Sequence, residues 1–341
     1  MINVKISIPS SENNIDFTNF IGKDREFEMD TNFHINSNVE KADFWFIFEN
    51  LYQDTEYCTV PKENVIYLNN ETSFPKNYFF QPHMKKFISQ FHEVHSCYLV
   101  PHKNQINTYP FLPWMIHAPN ARSIYSPSSL DYSYFLNFEK PKKKNNLSII
   151  CSSKSHTENH NIRFEFTNML KKHFGDELSW YGKGVNEIKY KYDVIANSKY
   201  HIVLENDSRK NLFSEKLLDS YLGLSFPIYY GATNIFDYFK SNSLVEININ
   251  DINYSIKQIE MALNNSFYER NLEFLIESKN KIINDFNFYN RIIDIMSLKL
   301  NKQNTFDYIH SLNSSEYFWK KNTSRKLKIK KYFVRKYRLN F

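Results

Sequence analysis

The stretch YHIVLENDSRKNLFSEKLLDSYLGLSFPIYYGATN, residues 200–234, decides the fold. An apolar run, His201–Leu204, ends in an acid and an amide, and a short polar loop follows. Ser214 then takes the N-cap position of a predicted helix, with an acid in the first turn. A second apolar run, Phe226–Tyr230, is stopped by a glycine. This succession of strand, turn, helix and strand is half of a doubly wound nucleotide-binding unit, and its helix N-terminus favours a phosphate group.

The composition predicts two domains with real cores. The chain has 341 residues, of which 42% are hydrophobic. Only six glycines occur, and the sequence contains no Walker or dinucleotide-type glycine loop. The three cysteines are odd in number and widely spaced, which argues against a disulfide framework or a cysteine metal site and fits a reducing compartment. Residues 1–9 lack the apolar core of a signal peptide, and no apolar run approaches the ~20 residues of a membrane span.

The net charge of +6 comes from one end of the chain. Residues 320–341 contain ten Lys or Arg and no acid, whereas the other 319 residues carry 33 basic and 37 acidic side chains. On a helical wheel, Leu327, Phe333 and Tyr337 share one face of this tail. The tail is predicted to be a basic amphipathic helix on an anionic membrane surface, with a disordered solubilising tail as the alternative. Nucleic-acid binding is not predicted, because the rest of the chain is slightly acidic and lacks a signature for it.

Apolar runs elsewhere predict two α/β halves joined near residue 145. The predicted buried strands are Phe44–Phe48, Val65–Leu68, Cys97–Val100, Leu147–Cys151 and Leu178–Tyr181. Residues 192–199 and 251–300 are predicted to be helical. A lysine- and asparagine-rich stretch near residue 143 is the predicted linker. The predicted domains are therefore residues 1–144 and 145–319, followed by the basic tail, residues 320–341.

Three separated blocks resemble the signature of the α-1,3/4-fucosyltransferase family, glycosyltransferase family 10. They are Leu204-Glu205-Asn206, Ser214-Glu215-Lys216 and Phe226-Pro227-Ile228-Tyr229-Tyr230-Gly231, in the family's order and spacing. The resemblance covers residues 145–250 well and the N-terminal half loosely. It implies the GT-B fold, an α/β architecture of two Rossmann-like domains facing a cleft, in which residues 1–144 bind the acceptor and residues 145–319 bind a GDP-sugar.

The resemblance also implies the substrates and the residues that hold them. GDP-fucose would be the donor, a glycan hydroxyl would be the acceptor, and the reaction would invert the sugar carbon. No cofactor is expected, because no D-x-D motif appears and cationic side chains could take the place of a metal. The implied donor-binding residues are Arg163, Glu205, Asn206, Ser214, Glu215 and Lys216. The implied catalytic base is Glu71, which aligns with the family's proposed glutamate when one inserted residue is allowed; Asn70 takes that place in the ungapped alignment.

The chemistry of glycosyl transfer suits these residue types. The acceptor hydroxyl must lose a proton, which a carboxylate such as Glu71 accepts. Negative charge builds on the departing diphosphate, which Arg163 and Lys216 would meet. Glu205 and Glu215 would repel phosphate and are better suited to sugar or ribose hydroxyls. Stabilisation of positive character at the fucosyl ring is an alternative role for Glu215.

One departure from the family pattern and one uncertain alignment leave alternatives open. Leu212 stands where the family often has an aromatic residue, so a different GDP-sugar is an alternative donor. The choice between Glu71 and Asn70 leaves a non-catalytic sugar-nucleotide-binding protein as a second alternative. His156 and His160 are four residues apart but lie in a loop-like run, so we expect exposed polar residues and no metal site.

The resemblance and the charge pattern together predict a cellular setting. They suggest a bacterial-type enzyme that builds a surface polysaccharide or lipopolysaccharide. Because no signal or disulfide pattern is evident, the expected location is the cytoplasm, peripheral on the inner face of the cytoplasmic membrane.

Overall fold

The computed structural model describes residues 1–9, 30–72, 74–75, 77–118, 130–153, 158–300 and 307–322. These residues form two compact units. The first unit contains the described residues up to Thr108 together with those from Lys299 onward, and the second runs from Tyr109 to Leu298. Within the described residues, no helix is both long enough and apolar enough to cross a membrane.

The described elements alternate between strands and helices over most of the chain. The strands are β1 (Ile2–Ser7), β2 (Thr31–Ile35), β3 (Phe44–Phe48), β4 (Thr55–Pro61), β5 (Val65–Leu68), β6 (Glu93–Ser96), β7 (Gln105–Asn107), β8 (Asn145–Ile150), β9 (Leu178–Tyr181), β10 (Ser198–Leu204), β11 (Phe226–Tyr230), β12 (Val245–Glu246) and β13 (Asp307–Asn313). The helices are α1 (Pro82–Ile88), α2 (Tyr132–Leu136), α3 (Glu158–Phe174), α4 (Tyr192–Ile195), α5 (Glu215–Leu222), α6 (Ile252–Asn264), α7 (Phe267–Arg270), α8 (Leu272–Asn284), α9 (Phe288–Leu300) and α10 (Ser315–Asn322).

The first unit is built on a six-stranded parallel sheet in the order β2-β1-β3-β5-β6-β7. All five residues of β3 and all four of β5 are buried, as expected of central strands covered on both faces. The chain passes from β1 to the edge strand β2 and returns to β3 on the other side of β1. The order of the strands therefore reverses between β1 and β3, and ligands bind beside such a reversal at the carboxyl ends of the strands.

The second unit repeats this arrangement with five parallel strands, in the order β12-β11-β10-β8-β9. The strand order reverses between β8 and β10. Helix α5 connects β10 to β11 and buries Leu217, Leu218, Tyr221 and Leu222. Burial of each of these leucines contributes about 2 kcal/mol to the hydrophobic stabilisation of the unit.

The compact units differ from the predicted domain ranges in two segments. Residues 109–118 and 130–144 belong to the second unit, where the Met115 N–H donates to Asp219 Oδ1 at 2.9 Å and Lys143 Nζ donates to the Gly223 carbonyl at 2.8 Å. The described residues after Leu298 belong to the first unit, because β13 pairs antiparallel with β4 along seven residues. No local sequence pattern predicts the packing of either segment. Of the predicted tail, residues 320–322 form the end of α10, and the rest lies outside the described residues.

Most of the predicted elements are confirmed. The strands Phe44–Phe48, Val65–Leu68 and Leu178–Tyr181 have the predicted bounds, and residues 251–300 are largely helical. The prediction of a strand at Cys97–Val100 is wrong, because the strand that pairs with β5 ends at Ser96. The predicted helix at residues 192–199 is shorter than expected, since β10 already begins at Ser198.

Candidate functional site

The predicted donor residues of the second unit gather at the carboxyl end of its sheet. Glu205 and Asn206 directly follow β10, and Ser214 precedes α5 as its N-cap. Arg163 lies in the second turn of α3, the helix after β8, and its Nη1 donates to the Leu204 carbonyl at 3.2 Å. The structure therefore brings these residues to the strand pair where the order reverses, which is where open α/β sheets bind ligands.

Glu205 is fully buried and holds the start of α5 in place. Its Oε1 accepts hydrogen bonds from the Ser214 N–H at 2.7 Å and the Ser214 Oγ at 2.8 Å, and its Oε2 lies 3.5 Å from Lys216 Nζ. Burial raises the pKa of Glu205, and the charge of Lys216 opposes that rise. The sequence suggested that Glu205 contacts sugar or ribose hydroxyls. Because its carboxylate is enclosed, the structure instead makes it the support for Ser214 and Lys216.

Gly231 permits this close packing. It follows β11, and a Cβ at this position would lie 2.6 Å from Glu205 Cγ and 2.2 Å from the Tyr229 hydroxyl oxygen. That hydroxyl is itself fixed, because it accepts a hydrogen bond from the Ala232 N–H at 2.7 Å. The glycine that ends the strand in the sequence is therefore also needed for the approach of Glu205.

Alternating charges continue from Glu205 along the first turns of α5. Lys216 Nζ lies 3.3 Å from Glu215 Oε1, while Lys191 Nζ lies 3.8 Å from that same oxygen and 2.8 Å from Asp219 Oδ2. Burial alone would raise the pKa of Glu215, but Lys216 and Lys191 lower it to about 2. Burial would lower the pKa of Lys216, but the neighbouring acids raise it. Burial raises the pKa of Asp219 to about 6, although Lys191 opposes this.

The cations Arg163 and Lys216 form the accessible side of this cluster. The Lys216 side chain is 27% exposed, against 14% for Glu215 and 0% for Glu205. Arg163 is half-buried, and its charge opposes the raised pKa of Lys216, so the two cations interact. The Nε of Arg163 is buried and has no hydrogen-bond partner within the described part of the chain. These two cations and this unused donor suit a diphosphate at the N-terminus of α5.

A shallow pocket of 360 Å³ lies next to this cluster, beyond Gly231. Its lining includes hydroxyl, carboxylate and amide groups, from Ser208, Tyr230, Thr233, Glu246, Asn248 and Asn250. Burial raises the pKa of the Glu246 carboxyl. Among the described residues that line the pocket there is no Lys, Arg or His. The pocket therefore suits a ligand rich in hydroxyl groups better than it suits an anion.

Glu71 lies in the first unit, in the loop that follows β5. Its side chain is exposed, and its Oε1 accepts a hydrogen bond from the Thr72 N–H at 2.8 Å. The Glu71 N–H donates to Glu49 Oε1 at 2.6 Å. Asn70, the rival in the ungapped alignment, is only 2% exposed. Of the two, Glu71 is the one whose side chain a substrate can reach.

The sequence analysis missed three charged residues that shape these sites. Lys191 lies in the loop before α4, far along the chain from Glu215, and no local pattern marks it. Asp219 looks like a solvent-facing residue of an amphipathic helix, yet it is fully buried. Glu49 follows the apolar run Phe44–Phe48 directly, which is the signal that selected Glu205, so it could have been found by the same rule.

The histidine pair predicted to be exposed is only partly described. His160 is half-buried on α3, whereas His156 lies outside the described residues. In the part of the chain that the structure describes, no three His, Cys, Asp or Glu side chains form a group that could hold a metal ion.

Comparison with known proteins identifies the fold of the chain. No protein-family model matches the sequence, and no curated protein sequence matches it. A crystal structure of an α1,3-fucosyltransferase is similar, with 15% sequence identity, a TM-score of 0.53, and coverage of 89% of this chain and 91% of that one. A structure of α1,3-fucosyltransferase with GDP-fucose has 14% identity, a TM-score of 0.51, and coverage of 89% and 92%. This likeness confirms the predicted fold class, so the chain is an α/β protein with the two Rossmann-like domains of the GT-B fold.

Proposed function

We propose that this protein is an inverting glycosyltransferase that moves fucose from GDP-fucose to a hydroxyl of a glycan acceptor. The observation that carries the proposal is the cation pair Arg163 and Lys216 at the N-terminus of α5, with one side chain 27% exposed and the other holding an unused buried donor. The three-block sequence resemblance and the likeness to an α1,3-fucosyltransferase structure with GDP-fucose support the same activity.

The second unit stabilises the leaving group in this proposal. As the bond between the sugar carbon and the diphosphate oxygen breaks, negative charge develops on GDP. Lys216 and Arg163 meet that charge together with the first N–H groups of α5. Glu215, kept ionised by Lys216 and Lys191, holds the Lys216 ammonium in its protonated form. The hydroxyl-rich pocket beyond Gly231 offers a neighbouring surface for the sugar.

Glu71 supplies the base. The acceptor hydroxyl oxygen attacks the sugar carbon from the face opposite GDP, and its proton moves to the Glu71 carboxylate as the new bond forms. The proton is thus retained by the protein, GDP leaves with the bonding electron pair, and the configuration at the sugar carbon is inverted.

The proposal is tested by measuring GDP release from GDP-fucose with a panel of glycans. Lys216→Ala should lower kcat/KM by about 10²–10³-fold, because it removes charge stabilisation of the leaving group. Lys199→Ala is the matched control, since Lys199 lies at the opposite end of β10 and its ammonium pairs with Glu269 at 2.6 Å. Undiminished turnover in Lys216→Ala would contradict the donor site. Tight GDP binding by the wild type without transfer to any glycan would favour the non-catalytic alternative.

A different GDP-sugar is the second candidate donor. Leu212 is 0% exposed and the neighbouring Phe213 is 1% exposed, so neither side chain is available to contact a sugar. Thermal shift measurements with a series of GDP-sugars separate the two donors. Stabilisation by another GDP-sugar but not by GDP-fucose would decide for the alternative.

The cellular setting is proposed on the charge pattern of the tail. We place the enzyme in the cytoplasm, on the inner face of the membrane, where it would fucosylate a surface polysaccharide or lipopolysaccharide. Flotation with anionic liposomes should require residues 320–341. Equal flotation of the full chain and of a chain without that segment would remove the membrane role.

A further inference from the structure

We propose that Glu49 is a positioning residue for Glu71, because its carboxylate fixes the loop that presents the proposed base. The two residues follow neighbouring strands of one sheet, Glu49 after β3 and Glu71 after β5, and so lie at the same carboxyl edge. This inference rests on the proposed function, since it gives a role to a side chain that acts only through Glu71.

The contacts of Glu49 converge on the loop Asn69–Glu71. Oε1 accepts hydrogen bonds from the Glu71 N–H and the Asn69 side-chain amide, each at 2.6 Å, and a third from the Asn70 N–H. Oε2 accepts the Tyr67 hydroxyl at 2.9 Å. One carboxylate oxygen therefore holds two consecutive backbone N–H groups, which fixes the direction in which the chain leaves β5.

The backbone of Glu49 is itself held in an uncommon conformation. Its φ is +60°, in the left-handed region that residues other than glycine rarely adopt. Its N–H donates to the Leu68 carbonyl at 3.2 Å, beside the loop that its side chain binds. Such a conformation persists only where surrounding contacts determine it, and residues of this kind cluster at functional sites.

The network extends to the next strand. Asn69, held by Glu49, accepts hydrogen bonds at Oδ1 from Ser96 Oγ at 3.2 Å and from Cys97 Sγ at 3.4 Å. Asn69 therefore joins the ends of β3, β5 and β6 by hydrogen bonds. Glu49 does not act as the base itself in this proposal, because both of its carboxylate oxygens already accept hydrogen bonds from the protein.

The test compares two substitutions at Glu49. Glu49→Ala leaves the Asn70 and Glu71 N–H groups without their acceptor, so kcat should fall by more than about tenfold while KM for the GDP-sugar stays near the wild-type value. Glu49→Gln retains an amide oxygen in the position of Oε1 and should restore most of kcat. Hydrogen exchange should show faster exchange of the Asn70 and Glu71 amides in Glu49→Ala only.

Glu56→Gln is the matched control for a general loss of stability. Glu56 is another buried carboxylate of the same unit; it pairs with Lys5 at 3.2 Å and accepts the Ser7 hydroxyl at 2.8 Å. The Glu56→Gln substitution should lower the free energy of unfolding while leaving kcat unchanged. Wild-type kcat in Glu49→Ala, or an equal kcat loss in Glu56→Gln, would overturn the inference. Failure of the proposed function would look different, since the wild type itself would then transfer no sugar.

Discussion

At the carboxyl edge of each sheet, a glutamate that follows a strand binds a neighbouring loop, but the partners of the two glutamates differ. In each unit, a glutamate follows the third strand of the sheet in chain order, Glu49 after β3 and Glu205 after β10. Each carboxylate accepts hydrogen bonds from the backbone of a loop at the same edge, from two N–H groups for Glu49 and from one for Glu205. The partners of Glu49 are a hydroxyl, an amide and backbone groups, whereas Glu205 also pairs with the ammonium of Lys216.

This difference determines what each edge can present to a ligand. No cation among the described residues offsets the burial of Glu49, which raises its pKa to about 7, and the loop that it holds carries the exposed carboxylate of Glu71. In the second unit the neighbouring acids keep Lys216 protonated and are themselves more buried than Lys216. The carboxyl edge of the second sheet therefore presents positive charge. A proton acceptor in one unit and an anion site in the other are the two requirements of glycosyl transfer.

The largest expected effect comes from removing the proposed base. Glu71→Gln should lower kcat by about 10²–10⁴-fold, because the neutral amide cannot take the acceptor proton. GDP affinity, measured by calorimetry, should not change, since the proposed diphosphate contacts lie in the second unit. Glu40→Gln, an exposed acid of the same unit, serves as the control. If Glu71→Gln kept full turnover, the assignment of the two chemical roles to two edges would fail.

Lys191→Met tests whether the second edge depends on its cations for stability. The substitution leaves the fully buried Asp219 without its 2.8 Å partner and should cost about 3–5 kcal/mol in the free energy of unfolding at pH 7. Adding Asp219→Asn should recover most of that loss, because the amide oxygen still accepts the Met115 N–H. The loss in the single variant should shrink as the pH falls, because protonation of Asp219 removes the buried charge and the variant lacks the Lys191 cation that opposes the rise of its pKa. A double variant no more stable than the single one would contradict this reasoning.

The pH dependence of stability should have opposite signs for Glu49 and Glu215. Burial raises the pKa of Glu49 from 4.5 to about 7, so its stabilising contribution is full below pH 4.5 and is lost as the pH rises to about 7, a change of up to about 3 kcal/mol. The Tyr67 hydroxyl is the titratable group that faces it. The pKa of Glu215 is lowered to about 2, so its contribution is present above pH 4.5 and is lost as the pH falls toward 2.

Urea denaturation at a series of pH values measures both contributions. Glu49→Gln should reduce the decline between pH 4.5 and 7, to which the buried Asp219 also contributes, and leave the acid side of the curve unchanged. Equal pH profiles for this variant and the wild type would show that Glu49 does not titrate in that range.

Local signals were sufficient to predict the central strands and the helix cap. The β5 strand and the Ser214 cap follow from apolar runs and from a hydroxyl before a helical pattern, both of which are readable within a few residues. The position of β6 could not be predicted, because its polar residues do not form the apolar run that marks a buried strand. His95 Nε2 lies 2.6 Å from Glu93 Oε1, and Ser96 Oγ donates to Asn69, so the polar side chains of this strand have hydrogen-bond partners that the local sequence does not reveal.

The missed parts depend on contacts between distant segments. Lys191 reaches Asp219, and β13 pairs with β4 across most of the chain, and neither leaves a trace in local composition. The resemblance to a family supplied the candidate site where spacing alone could not. The enclosed position of Glu205, however, changes its predicted sugar contact into a supporting role, since burial is a property of the folded chain.

Gly231→Ala should give the smallest effect. It tests whether Glu205 only stabilises α5 or also sets the position of Lys216. The added Cβ would lie 2.6 Å from Glu205 Cγ, so we expect a loss of about 1–3 kcal/mol in stability. Gly175→Ala is the control. A Cβ at Gly175 would have no neighbouring atom within 4 Å, so only the φ of +53° should lower the stability, by about 1 kcal/mol. Because Glu205 holds Ser214 and Lys216, only Gly231→Ala should also weaken GDP binding, measured by calorimetry. A stability loss without weaker GDP binding would mean that Glu205 supports α5 but does not set the position of Lys216.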